Sequence, residues 1–339
     1  MDTATRKRVV VFNPGRGTYN RPELGYLQRR HPNQQPLISR FDTLRAADQP
    51  SISQLDQMQA FQSKVHLAAT NAAPLIYACA YADFLSLDTD EMDIVAVSGN
   101  SMGWYIALAC AGALDAERGF TLVSEMAALT SGAKLGGQLI YPEVDVNWRQ
   151  DSTRQSHIQA LLTHPDPKLR LQRSICFGGY QVLAGPDTAI QHGIQSLPPA
   201  DERYPFVLPG HSAFHTSLMQ PASERALQRF SPAFFTTPAI PLIDGRGKVW
   251  QPLGTDVGRL RDYTLVHQVC ETYDFTRAVI TAVKEFAPDQ IVLTGPGNTM
   301  GGAVAQALIQ IGWQGIRSKA DFIERQAHDP FVISMGMES

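Results

Sequence analysis

The sequence predicts an α/β fold: a doubly wound main domain interrupted by a small α+β block. Three observations predict it. Short valine- and isoleucine-rich runs alternate with helical stretches along most of the chain, which is the pattern of buried strands and the helices that cover them. Over residues 138–212 the texture changes, and strand, helix, strand, helix and strand crowd together as in a small α+β unit. The chain has 339 residues, 44% hydrophobic and 18% charged, enough for two domains or one large α/β domain with an insertion.

Each element follows from its own residues. Val9-Val10-Val11-Phe12 is a buried strand that stops at Asn13-Pro14-Gly15, a loop signal. Helical stretches are predicted over 53–67 and 71–86, the second with apolar and aromatic positions over 75–84 that suit core packing. A second buried strand over 94–98 runs into Gly99-Asn100-Ser101-Met102-Gly103 and a helix to about Ala113. Asp115 can cap the next helix, which carries Phe120, Leu122 and Met126. In the small block we expect strands at 139–144, 176–183 and 206–208, and helices at 153–163 and 187–196. Alternation then resumes with a helix at 217–229, a strand at 240–244 and a helix capped by Asp274. A strand at 291–294, a helix at 300–311 and a strand at 315–317 complete the chain.

Composition excludes several classes. The formal net charge is −3 with both signs mixed along the chain, so a nucleic-acid partner, which needs a basic stripe, is not expected. The apolar run near the N-terminus is too short for a signal-peptide core, and no run reaches the roughly 18 residues that span a bilayer. Cys79, Cys110, Cys176 and Cys270 are far apart, without zinc or redox spacing. We expect reduced thiols, no metal, no membrane and a cytoplasmic location.

The chemistry centres on Ser101. In Gly99-Asn100-Ser101-Met102-Gly103 a serine sits on the sharp turn between a buried strand and a helix, where its hydroxyl stands clear of the backbone. A hydroxyl needs a base to act as a nucleophile at neutral pH. The chain has nine histidines, and spacing does not choose among them. His211 and His215 stand out because they fall where the small block returns to the main domain.

Taken together, these motifs resemble the malonyl-CoA:acyl-carrier-protein transacylases and the related acyltransferase domains of fatty acid and polyketide synthesis. The resemblance covers nearly the whole chain. Phe12-Asn13-Pro14-Gly15-Arg16-Gly17 is similar to the family's glycine loop, and Gly99 to Gly103 to its nucleophile elbow. Ser212-Ala213-Phe214-His215 with Ser217-Leu218-Met219 resembles the segment that bears the catalytic histidine. Leu265-Val266-His267-Gln268 and Gly295-Pro296-Gly297 fall where the family has a similar helix and loop.

The resemblance implies an α/β-hydrolase-like core, residues 1–137 and 213–339, with an inserted ferredoxin-like subdomain at 138–212. It implies ping-pong acyl transfer from acyl-CoA to the phosphopantetheine thiol of an acyl carrier protein, with no bound cofactor and a monomeric chain. Ser101 would carry the acyl group and His215 would be the base. Backbone N–H groups of Met102 and Arg16 would face the oxyanion, and the Gln268 carbonyl would orient the histidine. Asn100, Met126 and Phe214 would shape the acyl pocket.

Departures from the family bear on substrate. Malonyl-selective members carry an arginine that grips the carboxylate where this chain has Met126. A thioether cannot pair with a carboxylate, so an uncharged acyl group is expected. Arg16 replaces a glutamine, Asn100 a histidine and Trp104 a glutamate, changes that alter pocket shape and polarity. Arg16 either returns a cation to the pocket mouth or points to solvent. Phe214 disfavours a branched α-carbon. The Gly295-Pro296-Gly297 loop does not have dinucleotide-binding spacing, and too little chain follows it for the remaining unit. The alternatives are a proofreading hydrolase of acyl-carrier-protein thioesters on the same fold, or a non-catalytic docking subunit of a synthase.

Overall fold

The computed structural model describes residues 6–131 and 135–337. The strands in chain order are β1 (Lys7–Asn13), β2 (Met92–Gly99), β3 (Gly137–Pro142), β4 (Gln172–Phe177), β5 (Tyr180–Gly185), β6 (Phe206–Val207), β7 (Leu242–Ile243), β8 (Val249–Trp250), β9 (Tyr273–Asp274), β10 (Gln290–Leu293) and β11 (Val332–Ser334). They form two sheets.

The larger sheet has the order β11-β10-β1-β2-β7-β8 and is parallel except for the β7–β8 pair. Val9, Val10, Val11 and Phe12 are fully buried, which is why β1 reads as a continuous apolar run. From β1 the chain builds outward to β2 on one side and later to β10 on the other, so the switch point, the usual place for a site in such sheets, falls between β1 and β10, next to the carboxyl ends of β1 and β2. Those ends carry the glycine loop and the serine turn. The helix Ala69–Leu85 is apolar nearly all round and buried from Asn71 to Ala80, as expected of a core helix. Its Asp83 accepts from Tyr26 Oη at 2.8 Å and Gly295 N at 2.6 Å, and faces His31 Nε2 at 2.6 Å. This knot ties the N-terminal segment to the Gly295 loop.

The smaller sheet has the order β6-β3-β5-β4-β9. β3, the helix Ser152–Leu162, β4, β5, the helix Asp187–Ser196 and β6 follow one another as βαββαβ, a ferredoxin-like unit. Period-two alternation assigns its faces. Leu139, Tyr141 and Leu183 pack against the two helices in a separate core, while Ile140 and Val182 turn toward the main domain. The sheet is not confined to 138–212, because β3 starts at Gly137 and β9 pairs with β4 from far down the chain.

Three sequence expectations are corrected. The helix expected over 53–67 is two short ones, Ile52–Asp56 and Ser63–His66. His66 Nε2 lies 3.0 Å from the Leu55 carbonyl, an acceptor that would otherwise continue the helix, and the Asp56 carboxylate is held by Tyr19 Oη and Gln28 N. The strand expected over 176–183 is a hairpin turning at Gly178-Gly179, where Gly178 has φ +63° and seats on Ala303. The strand expected at 315–317 is absent among the described residues; the sheet edge is β11, which pairs with β10. The helices Tyr26–Arg30, Gln35–Thr43 and Lys319–His328 were not expected. Among the described residues no helix is long and apolar enough to cross a membrane.

Candidate active site

Ser101 follows β2 with φ +55°, a left-handed conformation that costs a non-glycine residue about 1–2 kcal/mol. The turn is held by Asn100 N donating to the Asn13 carbonyl at 2.9 Å and Gly103 N donating to the Asn100 carbonyl at 2.8 Å. Its closeness explains the flanking glycines. A Cβ on Gly103 would strike the Asn13 carbonyl, and one on Gly99 would strike the backbone of Gly103.

His215 is buried and lies with Nε2 2.7 Å from Ser101 Oγ. Its Nδ1 lies 2.5 Å from the Gln268 backbone carbonyl. A carbonyl only accepts, so Nδ1 carries the proton and the bare Nε2 faces the serine hydroxyl. Burial pushes the imidazole pKa down to about 4, against a raising contribution from the Gln268 carbonyl and a further lowering by His267. The imidazole is therefore neutral at neutral pH.

Gln268 follows a π-helical turn at Tyr263–His267, an irregularity often found at functional sites. Its side chain donates from Nε2 to the Ser101 carbonyl at 3.0 Å and accepts from Tyr105 Oη at 2.8 Å. From β9, Tyr273 Oη donates to the Gly99 carbonyl at 2.5 Å, with its ring 5.5 Å from that of His215. Tyr105 and Tyr273 were missed from sequence. Tyr105 had a signal, lying one helical turn beyond Ser101.

His211 does not meet the serine. Its Nδ1 lies 2.8 Å from Gln138 Oε1, while Gln138 Nε2 donates to Ser174 Oγ and Ser174 Oγ donates to the Phe214 carbonyl, both at 2.7 Å. Burial and the charge of Arg16 hold its pKa well below the ordinary value. This chain of bonds couples β3 and β4 to the residue beside His215, so the small sheet sets the histidine segment in place.

Ser101 opens on two spaces. An inner chamber of about 60 Å³ is lined by Met102, Tyr105, Met126, Thr130 and Phe214 among others. An outer cleft of about 630 Å³ runs between the sheets and includes Asn100, Phe177, Arg203 and Tyr204. Met126 lines the chamber, and Phe214 borders both spaces. Asn100 lines the cleft, whereas Met102 lines the chamber. Trp104 is fully buried and donates from Nε1 to Thr264 Oγ1 at 3.0 Å, so it supports the helix rather than the chamber.

Arg16 borders both spaces. Its guanidinium lies 5.5 Å from the Phe214 ring centroid and donates from Nη2 to the Gly210 carbonyl at 3.3 Å. Burial lowers its pKa to about 10, which leaves it charged at neutral pH. It is half-buried over the pocket mouth rather than directed to solvent.

No protein-family model matches the chain, and no curated protein sequence matches it. Solved structures do. The acyl-carrier-protein S-malonyltransferase of Burkholderia pseudomallei is similar with a TM-score of 0.72 and 21% identity, over 89% of this chain and 93% of that one. The malonyl-CoA:ACP transacylase of Synechocystis has a TM-score of 0.75 and 17% identity, over 98% and 97%. A malonyl-transacylase solved in complex with its type II polyketide synthase acyl-carrier protein has a TM-score of 0.71 and 18% identity, over 89% and 93%. The chain therefore has the fold of the malonyl-CoA:acyl-carrier-protein transacylases.

Proposed function

We propose that the chain is an acyltransferase that moves an acyl group from acyl-CoA to the phosphopantetheine thiol of an acyl carrier protein through an acyl-Ser101 intermediate. The observation that carries this reading is the 2.7 Å approach of Ser101 Oγ to His215 Nε2, with Nδ1 on the Gln268 carbonyl, on a fold shared with such enzymes. A scaffold would need neither group.

His215 Nε2 takes the Ser101 proton as Oγ attacks the thioester carbonyl. The tetrahedral oxyanion is met by the backbone N–H groups of Met102 and Arg16. Collapse breaks the C–S bond, and the proton on His215 passes to the departing thiolate, leaving an ester on Ser101. In the second half His215 takes the proton of the incoming carrier thiol, whose sulfur attacks the ester; Oγ leaves and recovers that proton.

The acyl group is expected to be uncharged. Met126 is buried in the chamber wall, and an unpaired carboxylate brought against it would cost several kcal/mol or take up a proton.

The test is intact-mass measurement after incubation with acetyl-, malonyl- and longer acyl-CoA, with Ser101→Ala as control, followed by addition of a phosphopantetheinylated carrier protein. An acyl adduct lost in the control and discharged onto the carrier is expected. Discharge to water faster than to the carrier makes the chain a hydrolase, and no adduct from any donor makes it a docking subunit.

A further inference from the structure

Two polar atoms beside the nucleophile have no hydrogen-bond partner among the described residues: Arg16 Nε and Asn100 Oδ1. Both are closed to solvent, so bulk water does not satisfy them, and buried polar groups left unpaired ask for an explanation. One is a donor and the other an acceptor. Both residues line the cleft, and Asn100 Nδ2 comes close to Gly15, the residue before Arg16. Asn100 faces only the cleft, while Arg16 sits where cleft and chamber meet.

This position selects the part of the substrate they serve. With the acyl group in the chamber, the thiol portion of the thioester lies in the cleft. The first polar group beyond the sulfur of a phosphopantetheine arm is a secondary amide, two carbons away. It offers one carbonyl acceptor and one N–H donor, the complement of Arg16 Nε–H and Asn100 Oδ1. A carboxylate offers acceptors only and would set its charge against the Asn100 oxygen.

We propose that Arg16 and Asn100 form a subsite that reads the amide nearest the sulfur in the thiol arm of both acyl donor and acyl acceptor. This rests on the acyl-transfer reading. Because both atoms are closed in the free chain, the arm displaces what covers them as it enters. Arg16 is held there by a 3.3 Å bond to Gly210 and the face of Phe214. Its side chain thus serves the thiol arm, apart from the oxyanion role of its backbone N–H.

The experiment compares acylation of Ser101 by three acetyl thioesters of equal length: one of N-acetylcysteamine, its ketone analogue with CH2 in place of N–H, and S-pentyl thioacetate. In the native protein kcat/KM should favour the amide over the ketone by about tenfold, and the ketone over the S-pentyl donor by a similar factor. Asn100→Ala should erase the first preference and Arg16→Met the second, each with an unchanged melting temperature. Equal use of the three donors by the native protein overturns the subsite without needing any variant, and the acyl adduct then still upholds the transferase reading. Preferences that survive both substitutions overturn it as well. A defect of Arg16→Met confined to malonyl donors assigns Arg16 to the acyl group instead. No adduct from any donor removes the transfer reading and the subsite together.

Discussion

Gln268 is bonded to both Ser101 and His215: its Nε2 donates to the Ser101 carbonyl at 3.0 Å, while its backbone carbonyl holds His215 Nδ1 at 2.5 Å. One residue thus fixes both halves of the serine–histidine pair, and Tyr105 Oη fixes the Gln268 side chain in turn. Gln268→Met keeps the backbone carbonyl and about the same volume but removes both side-chain bonds. The acylation rate should fall by about ten- to a hundredfold, the range expected for misplacing a reacting group, with KM nearly unchanged. A pre-steady-state acylation rate equal to that of the native protein would show that the clamp is dispensable.

The pH dependence follows from His215. Nε2 must be unprotonated to take the serine proton, and burial has pushed its pKa to about 4. Acylation should therefore rise with pH up to about 4 and stay flat from about pH 5 to 8. A rate that still doubles between pH 6 and 7 contradicts this.

The same shift acts on stability. An unfolded histidine titrates near 6.5, so between about pH 6.5 and 4 the unfolded chain binds a proton that folded His215 does not. Stability should fall as pH drops through that window and stop falling on this account below it. His211 is shifted in the same direction. Urea midpoints at pH 7 and pH 5 check the sign: the pH 5 value should be lower.

Met126→Arg places a guanidinium in the chamber wall. Loading with malonyl-CoA relative to acetyl-CoA should rise by at least tenfold, at some cost in stability from the buried charge. Intact-mass competition between the two donors measures the ratio, and an unchanged ratio would mean that position 126 does not face the acyl group.

Gly103→Ala forces a Cβ into the Asn13 carbonyl, and neither backbone can yield without opening the serine turn. We expect a loss of about 3 kcal/mol or more and no acyl adduct. Gly302→Ala is the contrast: a Cβ there meets nothing within 4 Å on the helix Met300–Gln310, and stability should be kept or gain up to about 1 kcal/mol. Thermal melts separate the two.

What could be read from the sequence was what local chemistry encodes. The unbroken apolar run of β1, the glycine-flanked Ser101 and the caps at Asp115 and Asp274 announce their elements, because strand burial, turn crowding and capping are satisfied within a few residues. Asp115 and Asp274 indeed accept from Arg118 N at 2.7 Å and Arg277 N at 2.8 Å. The Gly178-Gly179 hairpin was hidden, because two buried strands joined by a tight turn read as one apolar run.

The pairing at the centre of the site belonged to tertiary structure. Ser101 and His215 are 114 positions apart, and nothing in spacing separates His215 from His211. The choice was made by β3 and β4, which hold His211 on Gln138, and by the π-helical turn, which brings the Gln268 carbonyl to His215. Likewise the sequence placed Asn100 next to the nucleophile but could not say which side it faces. The folded chain decided that: Asn100 lines the outer cleft and Met102 the inner chamber, because the walls of both spaces are built by segments far from Ser101 in sequence.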